Sequence, residues 1–299
     1  MEYNILSCGS SQSNTGSKQC IENFQDFSKF IITPLTFEFA TQAAAELLAN
    51  WTTAINAAAG SRIYPFPTIL EKEDLSEATL YKTFTSGIQK KIREGKRGYR
   101  FTVQVPLCVH QALRTFNGYN GRFIGIDNNG RILGTSPDGA KFKGWKLDTF
   151  EVEKIMIPSG DDICKTTIYV LFSDTTEFDD YGASFRPADL VSSWNPLDLD
   201  GLQDVTLAIT DSSATGATLT VTTTCDLIPV VGLVLADLVM TDDAGGAETI
   251  TGATDNSDGT YTLTWSTISA DTYWVDLLAP SAMTTKGYES TGYASFVIT

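Results

Sequence analysis

The stretch "DNSDGTYTLTW" at residues 255–265 decides how the last third of this chain folds. Its first half is rich in Asp, Asn and Gly, which suit a tight turn, and Gly259 can adopt positive φ without steric cost. Its second half alternates, so that Tyr261, Leu263 and Trp265 share one face and three threonines share the other. This period of two predicts a β-strand with one buried face.

The same signals continue through the whole segment from residue 204 to residue 299. Runs rich in Val, Thr, Leu and aromatic residues recur at a spacing of roughly 8–12 residues, which is typical of a β-sandwich. These runs are "VTLAIT", "ATLTVTTT", "LVLADLVMT", "GTYTLTW", "TYWVDLLA" and "GYASFVIT". The Cys…Trp…Cys arrangement of antibody domains is missing from the sequence.

This segment resembles the immunoglobulin-like modules of bacterial adhesins and of phage virion proteins. The resemblance rests on "VTTTCDLIPVVGLVLADLVMTDDAGG" (221–246), on the "DGTYTLTW" strand (258–265) and on the closing "GYASFVIT" (292–299). It implies an immunoglobulin-like β-sandwich over residues 204–299. It specifies the fold and leaves the binding target of the module open.

The distribution of charge marks a domain boundary near residue 200. The formal net charge of the chain is −15, and residues 201–299 contain twelve acidic residues but one basic residue, Lys286. The first 200 residues are nearly balanced, with twenty basic and twenty-four acidic residues. A chain of 299 residues suits about two domains. Because phosphate binding needs Lys and Arg, the composition argues against nucleic-acid binding by the C-terminal part.

The first 200 residues divide into an arm, a domain and a linker. Residues 1–25 are polar and aperiodic, and we expect an extended arm that a partner orders. For residues 26–181 we predict a strand-rich, mainly β domain with one long helix. This domain would be a β-sandwich or barrel and would belong to the α+β class. That helix is predicted at about 41–59, where Ala and Leu recur at helical spacing before Gly60. Residues 182–203 contain two prolines and predict a linker.

The sequence contains no recognisable catalytic constellation, and the chain is predicted not to be an enzyme. Its single histidine, His110, lies two residues after Cys108, a spacing that does not place both on one helix face. Neither a P-loop nor an EF-hand spacing is present. The five cysteines form no CxxC pair and predict free thiols in a reducing cytoplasm rather than a zinc site. No cofactor and no metal are predicted.

Neither a membrane span nor a secretory signal is expected. No apolar run reaches the roughly 18 residues that a transmembrane helix needs. The first residues show no basic start followed by an apolar core.

A basic stretch is the main charge cluster of the N-terminal part. Three interpretations of it stay open: a solvated loop, a contact with an acidic neighbouring subunit, or a contact with nucleic acid. In a ring of identical copies, opposite-sign surfaces meet head to tail. The predicted oligomer contacts are therefore this stretch and the complementary acids of the same domain, namely Lys90, Lys91, Arg93, Lys96, Arg97, Arg100, Asp174, Glu177, Asp179 and Asp180.

The layout of the whole chain resembles that of phage tail tube proteins. In that family a β-sandwich or barrel with a flanking helix forms rings, an arm and a long loop reach the next ring, and surface modules are often fused at the C-terminus. The segment "GRFIGIDNNGRILGTSPDGAKFKGWKLDTFEVEKI" (121–155) has the general look of that domain. The resemblance implies hexameric rings of identical copies in contact with other virion proteins. It also implies synthesis in the bacterial host cytoplasm and a place in the virion. The acidic surplus would suit a lumen through which DNA slides, and whether the acidic surface faces a lumen or solvent stays open.

Other functions remain open at this point. The chain could be a head decoration, connector or fibre protein of the virion. It could also be a carbohydrate-binding adhesin, in which Trp265, Tyr273 and Trp274 supply a stacking face. Because Tyr273 and Trp274 are adjacent in one strand, they point to opposite faces, and only one of them can join Trp265. We expect core packing rather than ligand stacking for the tryptophans.

Overall fold

The computed structural model of this chain describes residues 4–5, 26–158, 163–187 and 194–299. Two compact units are present, one formed by residues 1–55 and 60–200 and the other by residues 201–299 together with residues 56–59. Both described units are mainly β. Within the described residues, no helix is both long enough and apolar enough to cross a membrane.

The N-terminal unit contains twelve strands and four short helices in its described part. The strands are β1 Asn4–Ile5, β2 Phe27–Pro34, β3 Tyr64–Pro65, β4 Ile69–Asp74, β5 Leu80–Thr83, β6 Gln89–Arg93, β7 Gly98–Val103, β8 Gly121–Asp127, β9 Ile132–Thr135, β10 Trp145–Val152, β11 Thr166–Phe172 and β12 Gly182–Phe185. The helices are α1 Gln42–Glu46, α2 Leu48–Ile55, α3 Leu107–Leu113 and α4 Thr176–Asp179, with 3-10 turns at Arg114–Phe116 and Pro196–Asp198.

Ten of these strands form one sheet, and β5 and β6 form a separate hairpin. The order along the sheet is β1-β12-β9-β8-β10-β11-β7-β4, and β2 pairs with β8 and with β3. Strands β8 and β9 form a hairpin around "DNNG", since they pair antiparallel and Gly130 in their turn has a φ of +71°. The core is aromatic: the Phe30 ring stacks on Phe66, Phe101 and Phe123 at centroid distances of 4.7, 5.3 and 5.0 Å.

The single long helix predicted at about 41–59 is wrong, since two short helices stand in its place. Leu47 is extended, with φ −92° and ψ 119°, and separates α1 from α2. The break deprives two carbonyls of α1 of their helical donors. Side chains replace those donors, because Asn50 Nδ2 donates to Ala44 O and Trp51 Nε1 donates to Ala45 O, both at 2.8 Å. Trp51 is fully buried, and its packing favours the break over a continuous helix.

Part of the segment predicted as a linker belongs to the N-terminal unit. Gly182–Phe185, placed in the linker of residues 182–203, forms strand β12, which pairs with both β9 and β1. The compact unit accordingly extends to Asp200. Of the arm at residues 1–25, the structure describes Asn4–Ile5, and the rest of that prediction lies outside the described residues.

The C-terminal unit is a β-sandwich of two sheets around one core. Its strands are β13 Gln203–Ser213, β14 Gly216–Thr223, β15 Leu238–Asp242, β16 Ala247–Glu248, β17 Ile250–Asp255, β18 Thr260–Trp265, β19 Asp271–Leu277, β20 Tyr288–Ser290 and β21 Ala294–Ile298, with a 3-10 turn at Leu235–Asp237. One sheet has the order β17-β18-β14-β13-β20 and the other the order β16-β15-β19-β21.

The strand quoted at the outset behaves as predicted. Tyr261, Leu263 and Trp265 are buried and face the shared core, and Gly259 has a φ of +86° in the turn before them. The Tyr261 hydroxyl donates to Val230 O at 2.9 Å, so the one polar atom of this buried ring is satisfied.

Candidate assembly surface

The hairpin of β5 and β6 stands apart from the large sheet. Its two strands pair with each other alone, and every residue from 80 to 94 is exposed. The turn at its tip is closed by Phe84 N donating to Ile88 O at 2.9 Å and by Gly87 N donating to Phe84 O at 2.8 Å. Gly87 has a φ of +79°, a conformation that most side chains disfavour.

Hydrogen bonds and a close backbone approach join the two segments that lead into the hairpin at its base. Glu77 N donates to Lys96 O at 2.8 Å, and the Glu77 carboxylate accepts from Arg93 at 3.0 Å. A Cβ added at Gly95 would lie 1.9 Å from Glu77 O, so the two backbone segments approach too closely there for any side chain at residue 95. Beyond this base, two strands alone are marginally stable in water.

Large apolar side chains are distributed along the exposed hairpin. Tyr81 and Ile88 are 57% and 58% exposed, and three more large side chains accompany them. The complete set is Leu80, Tyr81, Phe84, Ile88 and Ile92. Lysines lie between them, and Lys82 Nζ sits 5.6 Å from the centroid of the Phe84 ring. Charged residues on an exposed strand edge oppose indiscriminate pairing, so the surface suits a specific partner.

The six predicted basic contacts divide into two groups. Lys96, Arg97 and Arg100 lie at or beyond the base and pair within the chain, with Asp148 at 2.8 Å, with Asp179, and with Glu73 at 2.8 Å. On the hairpin itself, Lys91 pairs with Glu94 and Arg93 with Glu77, whereas Lys90 has no ion-pair partner in the described part of the chain. Exposed pairs of this kind contribute about 0–1 kcal/mol each, so another copy could exchange them.

The four predicted acidic contacts also differ in their availability. Glu177 is buried, where Arg122 pairs with it at 2.9 Å and Lys146 N donates to it at 2.6 Å, so little of its carboxylate faces outward. The Asp174 carboxylate accepts from Thr176 N and Oγ1 at the start of α4. Asp180 is exposed and has no ion-pair partner among the described residues. The assignment of these ten residues to an interface between copies stays a prediction.

A cavity of about 730 Å³ brings two of the predicted residues together. Arg97 and Asp179 meet at its rim, and its wall includes Trp145 stacked on Phe178 at a centroid distance of 3.9 Å. Arg97 also lies 5.2 Å from the centroid of the Phe178 ring. Because the charges of Arg97 and Asp179 cancel, this part of the rim presents no net charge to a ligand.

His110 is buried and serves packing. Its Nδ1 lies 2.9 Å from Thr166 Oγ1, and burial, helped by nearby Arg114, lowers the pKa of His110 below its ordinary value. Cys108 is engaged in a disulfide and is therefore not a thiolate nucleophile. Among the described residues no group of three or more His, Cys, Asp or Glu side chains could hold a metal ion.

The expectation of free thiols is wrong for two cysteines. Cys108 and Cys225 both form disulfides, while Cys164 is a half-buried free thiol. The sequence could not show this, because no other cysteine lies near Cys108 or near Cys225 in the chain.

The aromatic residues of the C-terminal unit separate as the alternation predicts. Trp265 and Tyr273 are buried, and their rings lie 5.4 and 5.6 Å from the centroid of Phe296. Trp274 faces the opposite side of β19 and is half-buried. Core packing, expected for the tryptophans, is therefore confirmed for Trp265 and wrong for Trp274. Trp265 and Tyr273 form no stacking platform, since both belong to the core.

Sequence reasoning missed the β5–β6 hairpin. The signal was "TFTSGI" at residues 83–88, where Ser and Gly separate two short apolar-basic runs. The alternation of lysines with large apolar residues obscured it, because a hairpin with both faces exposed has no hydrophobic side to reveal its period.

No family model and no curated protein matches this chain. Among solved structures, a crystal structure of Hcp protein is similar over 53% of this chain and 99% of that chain, with 15% sequence identity and a TM-score of 0.23. A likeness at that score carries no argument about fold or function.

Proposed function

We propose that this chain is a structural protein of a phage particle, which assembles into hexameric rings of the tail tube type. In this proposal it works without catalysis or cofactor, and its partners are copies of itself and other virion proteins. The observation that carries the proposal is the exposed β5–β6 hairpin, defined by residues 80–93. Nothing in the described part of its unit covers its apolar side chains, and its base is fixed.

The energetics favour a partner for the hairpin. Full burial of one Leu, Ile or Phe side chain contributes about 1.5–3 kcal/mol, so several half-exposed side chains together supply a substantial driving force. Ordering a hairpin that is marginal alone costs entropy, which a contact with a rigid surface offsets. A second copy of the chain is a suitable partner, because one heterologous contact, repeated with a rotation that closes, forms a ring.

Charge complementarity supports the head-to-tail arrangement. The hairpin carries Lys82, Lys90, Lys91 and Arg93, whereas the region around α4 exposes acids, Asp180 among them. Among the described residues, three predicted contacts are neither buried nor ion-paired, namely Lys90, Asp174 and Asp180. Asp174 already accepts hydrogen bonds from Thr176, which leaves Lys90 and Asp180. We place them on opposite sides of the same interface, and Tyr81 and Ile88 in its apolar centre.

The C-terminal unit is proposed to be a displayed immunoglobulin-like module. Its sheet orders, β17-β18-β14-β13 and β16-β15-β19-β21, match strands D-E-B-A and C′-C-F-G of that fold. Tyr273 lies near the start of β19, and its hydroxyl donates to Ser269 O, four residues upstream, at 3.1 Å. The tyrosine corner of immunoglobulin-like domains has the same arrangement. With twelve acids and one lysine, the module is unsuited to hold the DNA that a tube conveys.

The proposal is tested by two substitutions with matched controls in the full-length chain. Ile88→Ser removes an apolar tip residue, and Ile157→Ser is its control, because Ile157 is 84% exposed and lies outside the hairpin. Lys90→Glu reverses a hairpin charge, and Lys154→Glu makes the same change on another exposed lysine. We expect both hairpin variants to shift the protein from rings toward single chains in light scattering, while the controls assemble normally.

The two hairpin variants and their two controls together decide the proposal. If the hairpin variants and their controls assemble equally well, the hairpin is not the contact. If the wild type itself shows no self-association, the ring proposal fails.

A further inference from the structure

The outer face of the four-stranded sheet in the C-terminal unit carries a feature that assembly does not require. Along β19 the buried residues Tyr273 and Val275 alternate with outward-facing Trp274 and Asp276. Trp274 lies opposite Thr241 of β15 and opposite Ser295 of β21. A half-buried indole thus lies on this face between two small hydroxyl residues and lines a cavity.

A second aromatic ring turns this face into a concave site. Tyr293 precedes β21, is 64% exposed, and meets Trp274 edge to face at a centroid distance of 6.1 Å and an angle of 82°. Together they border a cavity of about 330 Å³. The lining residues are Val239, Thr241, Asp242, Asp243, Gly245, Trp274, Asp276 and Tyr293.

The charged groups of this cavity all have the same sign. Asp276 lies on the same face of β19 as Trp274, Asp242 is the last residue of β15, and Asp243 follows it in the turn. The Asp242 carboxylate is held in place, since it accepts from Gly246 N at 2.6 Å.

No cation of the same unit balances these three carboxylates. Residues 201–299 contain no arginine and a single lysine. That lysine, Lys286, donates to Pro280 O at 2.9 Å and to Ser281 O at 3.2 Å, which occupies it elsewhere. The cavity therefore combines an indole with uncompensated negative charge.

We propose that this cavity binds an organic cation, namely the ammonium or guanidinium group of a lysine or arginine side chain on a basic polypeptide. The face of a tryptophan is the strongest aromatic partner for such a group, and nearby carboxylates add Coulomb attraction. A neutral sugar would use the indole but would gain nothing from the charge of three carboxylates. This site is independent of the proposed ring contact, which lies in the N-terminal unit.

The proposal is tested on the full-length protein with a fluorescently labelled pentalysine peptide and fluorescence anisotropy. We expect binding that weakens as salt rises from 0.05 to 0.5 M, because screening shortens the Debye length from about 14 to about 4 Å. Trp274→Phe should weaken binding less than Trp274→Ala, and the alanine variant should lose about two- to fivefold in affinity. Asp276→Asn should lose about as much, whereas Asp226→Asn, on an exposed acid outside the cavity, should lose less.

Four outcomes would overturn the proposal. The peptide fails to bind at low salt, or Trp274→Ala leaves its affinity unchanged. Equal losses in Asp276→Asn and Asp226→Asn indicate a diffuse field rather than a site. Finally, a neutral oligosaccharide that binds in a Trp274-dependent manner and displaces the peptide assigns the cavity to sugars. None of these readouts depends on ring formation, so failure here leaves the assembly proposal intact.

Discussion

Asp237 provides the sharpest test of how the C-terminal sandwich is held together. Its side chain is fully buried and accepts from three backbone amides: Val234 N at 3.1 Å, Thr284 N at 2.6 Å and Thr285 N at 3.1 Å. Burial alone would raise the pKa of Asp237. Hydrogen bonds from Thr285, Val234 and Thr284 outweigh that effect and hold the pKa below its ordinary value.

We predict that Asp237→Asn lowers the free energy of unfolding of the C-terminal unit by about 2–4 kcal/mol. A hydrogen bond to a charged acceptor contributes about 1.5–3 kcal/mol and one to a neutral acceptor about 0.5–1.5 kcal/mol. The asparagine keeps one acceptor oxygen but turns an amide group toward donors, so at least one buried amide loses its partner. Urea titration followed by hydrogen exchange of peptides from β15 and β19 measures the loss.

The pH dependence of the stability difference supplies a second test of the role of Asp237. Because the folded pKa of Asp237 is depressed, its stabilisation is fully present above the unfolded value of about 3.9 and is lost as pH falls through the folded pKa. The difference between wild type and Asp237→Asn should therefore shrink progressively below about pH 4. Asp226→Asn, on an exposed acid of the same unit, is the control. Equal stability of Asp237→Asn and wild type at pH 7, or a difference that is constant from pH 7 to pH 2, would refute this reasoning.

Three further predictions concern buried groups and are measured by urea unfolding of the full chain. Glu177→Ala should destabilise the N-terminal unit by about 3–5 kcal/mol, because it leaves Arg122 buried without its carboxylate; a loss below 1 kcal/mol would contradict this. Phe30→Ala should cost about 3–5 kcal/mol, since Phe30 is the centre of the aromatic core, and an unchanged unfolding midpoint would disprove that role. Tyr261→Phe should cost about 1–3 kcal/mol by leaving Val230 O without its donor, and a stabilised variant would show that water satisfies this carbonyl.

The β-sandwich was largely predictable because it obeys one local rule. Its strands alternate with period two, and burial follows that alternation at Tyr261, Leu263 and Trp265. The opposite faces of Tyr273 and Trp274 were predictable for the same reason. The pairing of strands from distant parts of the chain depends on tertiary packing, and no local pattern encodes it.

The N-terminal unit shows where local patterns fail. Helical spacing over residues 41–59 is real, yet Trp51 and Asn50 cap the carbonyls of α1 and so stabilise a break at Leu47. β12 looked like a linker because its four small and aromatic residues carry no alternation, and its burial comes from strands on both sides.

The sequence predicted where the candidate surface lies but not that this surface is an exposed apolar hairpin. The basic stretch at residues 90–100 was evident from charge, whereas the apolar residues of β5 gave no sign that they would remain exposed. Nor could the sequence distinguish Glu177, which Arg122 engages in the interior, from its exposed neighbour Asp179.

The central claim is that identical copies of this chain associate into rings. The most direct measurement is the mass and shape of the purified full-length protein, by multi-angle light scattering and negative-stain microscopy across a range of salt concentrations. The proposal predicts annular particles of six copies of 32.5 kDa, about 195 kDa, or stacks of such rings. A monodisperse single chain of 32.5 kDa at every concentration and salt condition would contradict it.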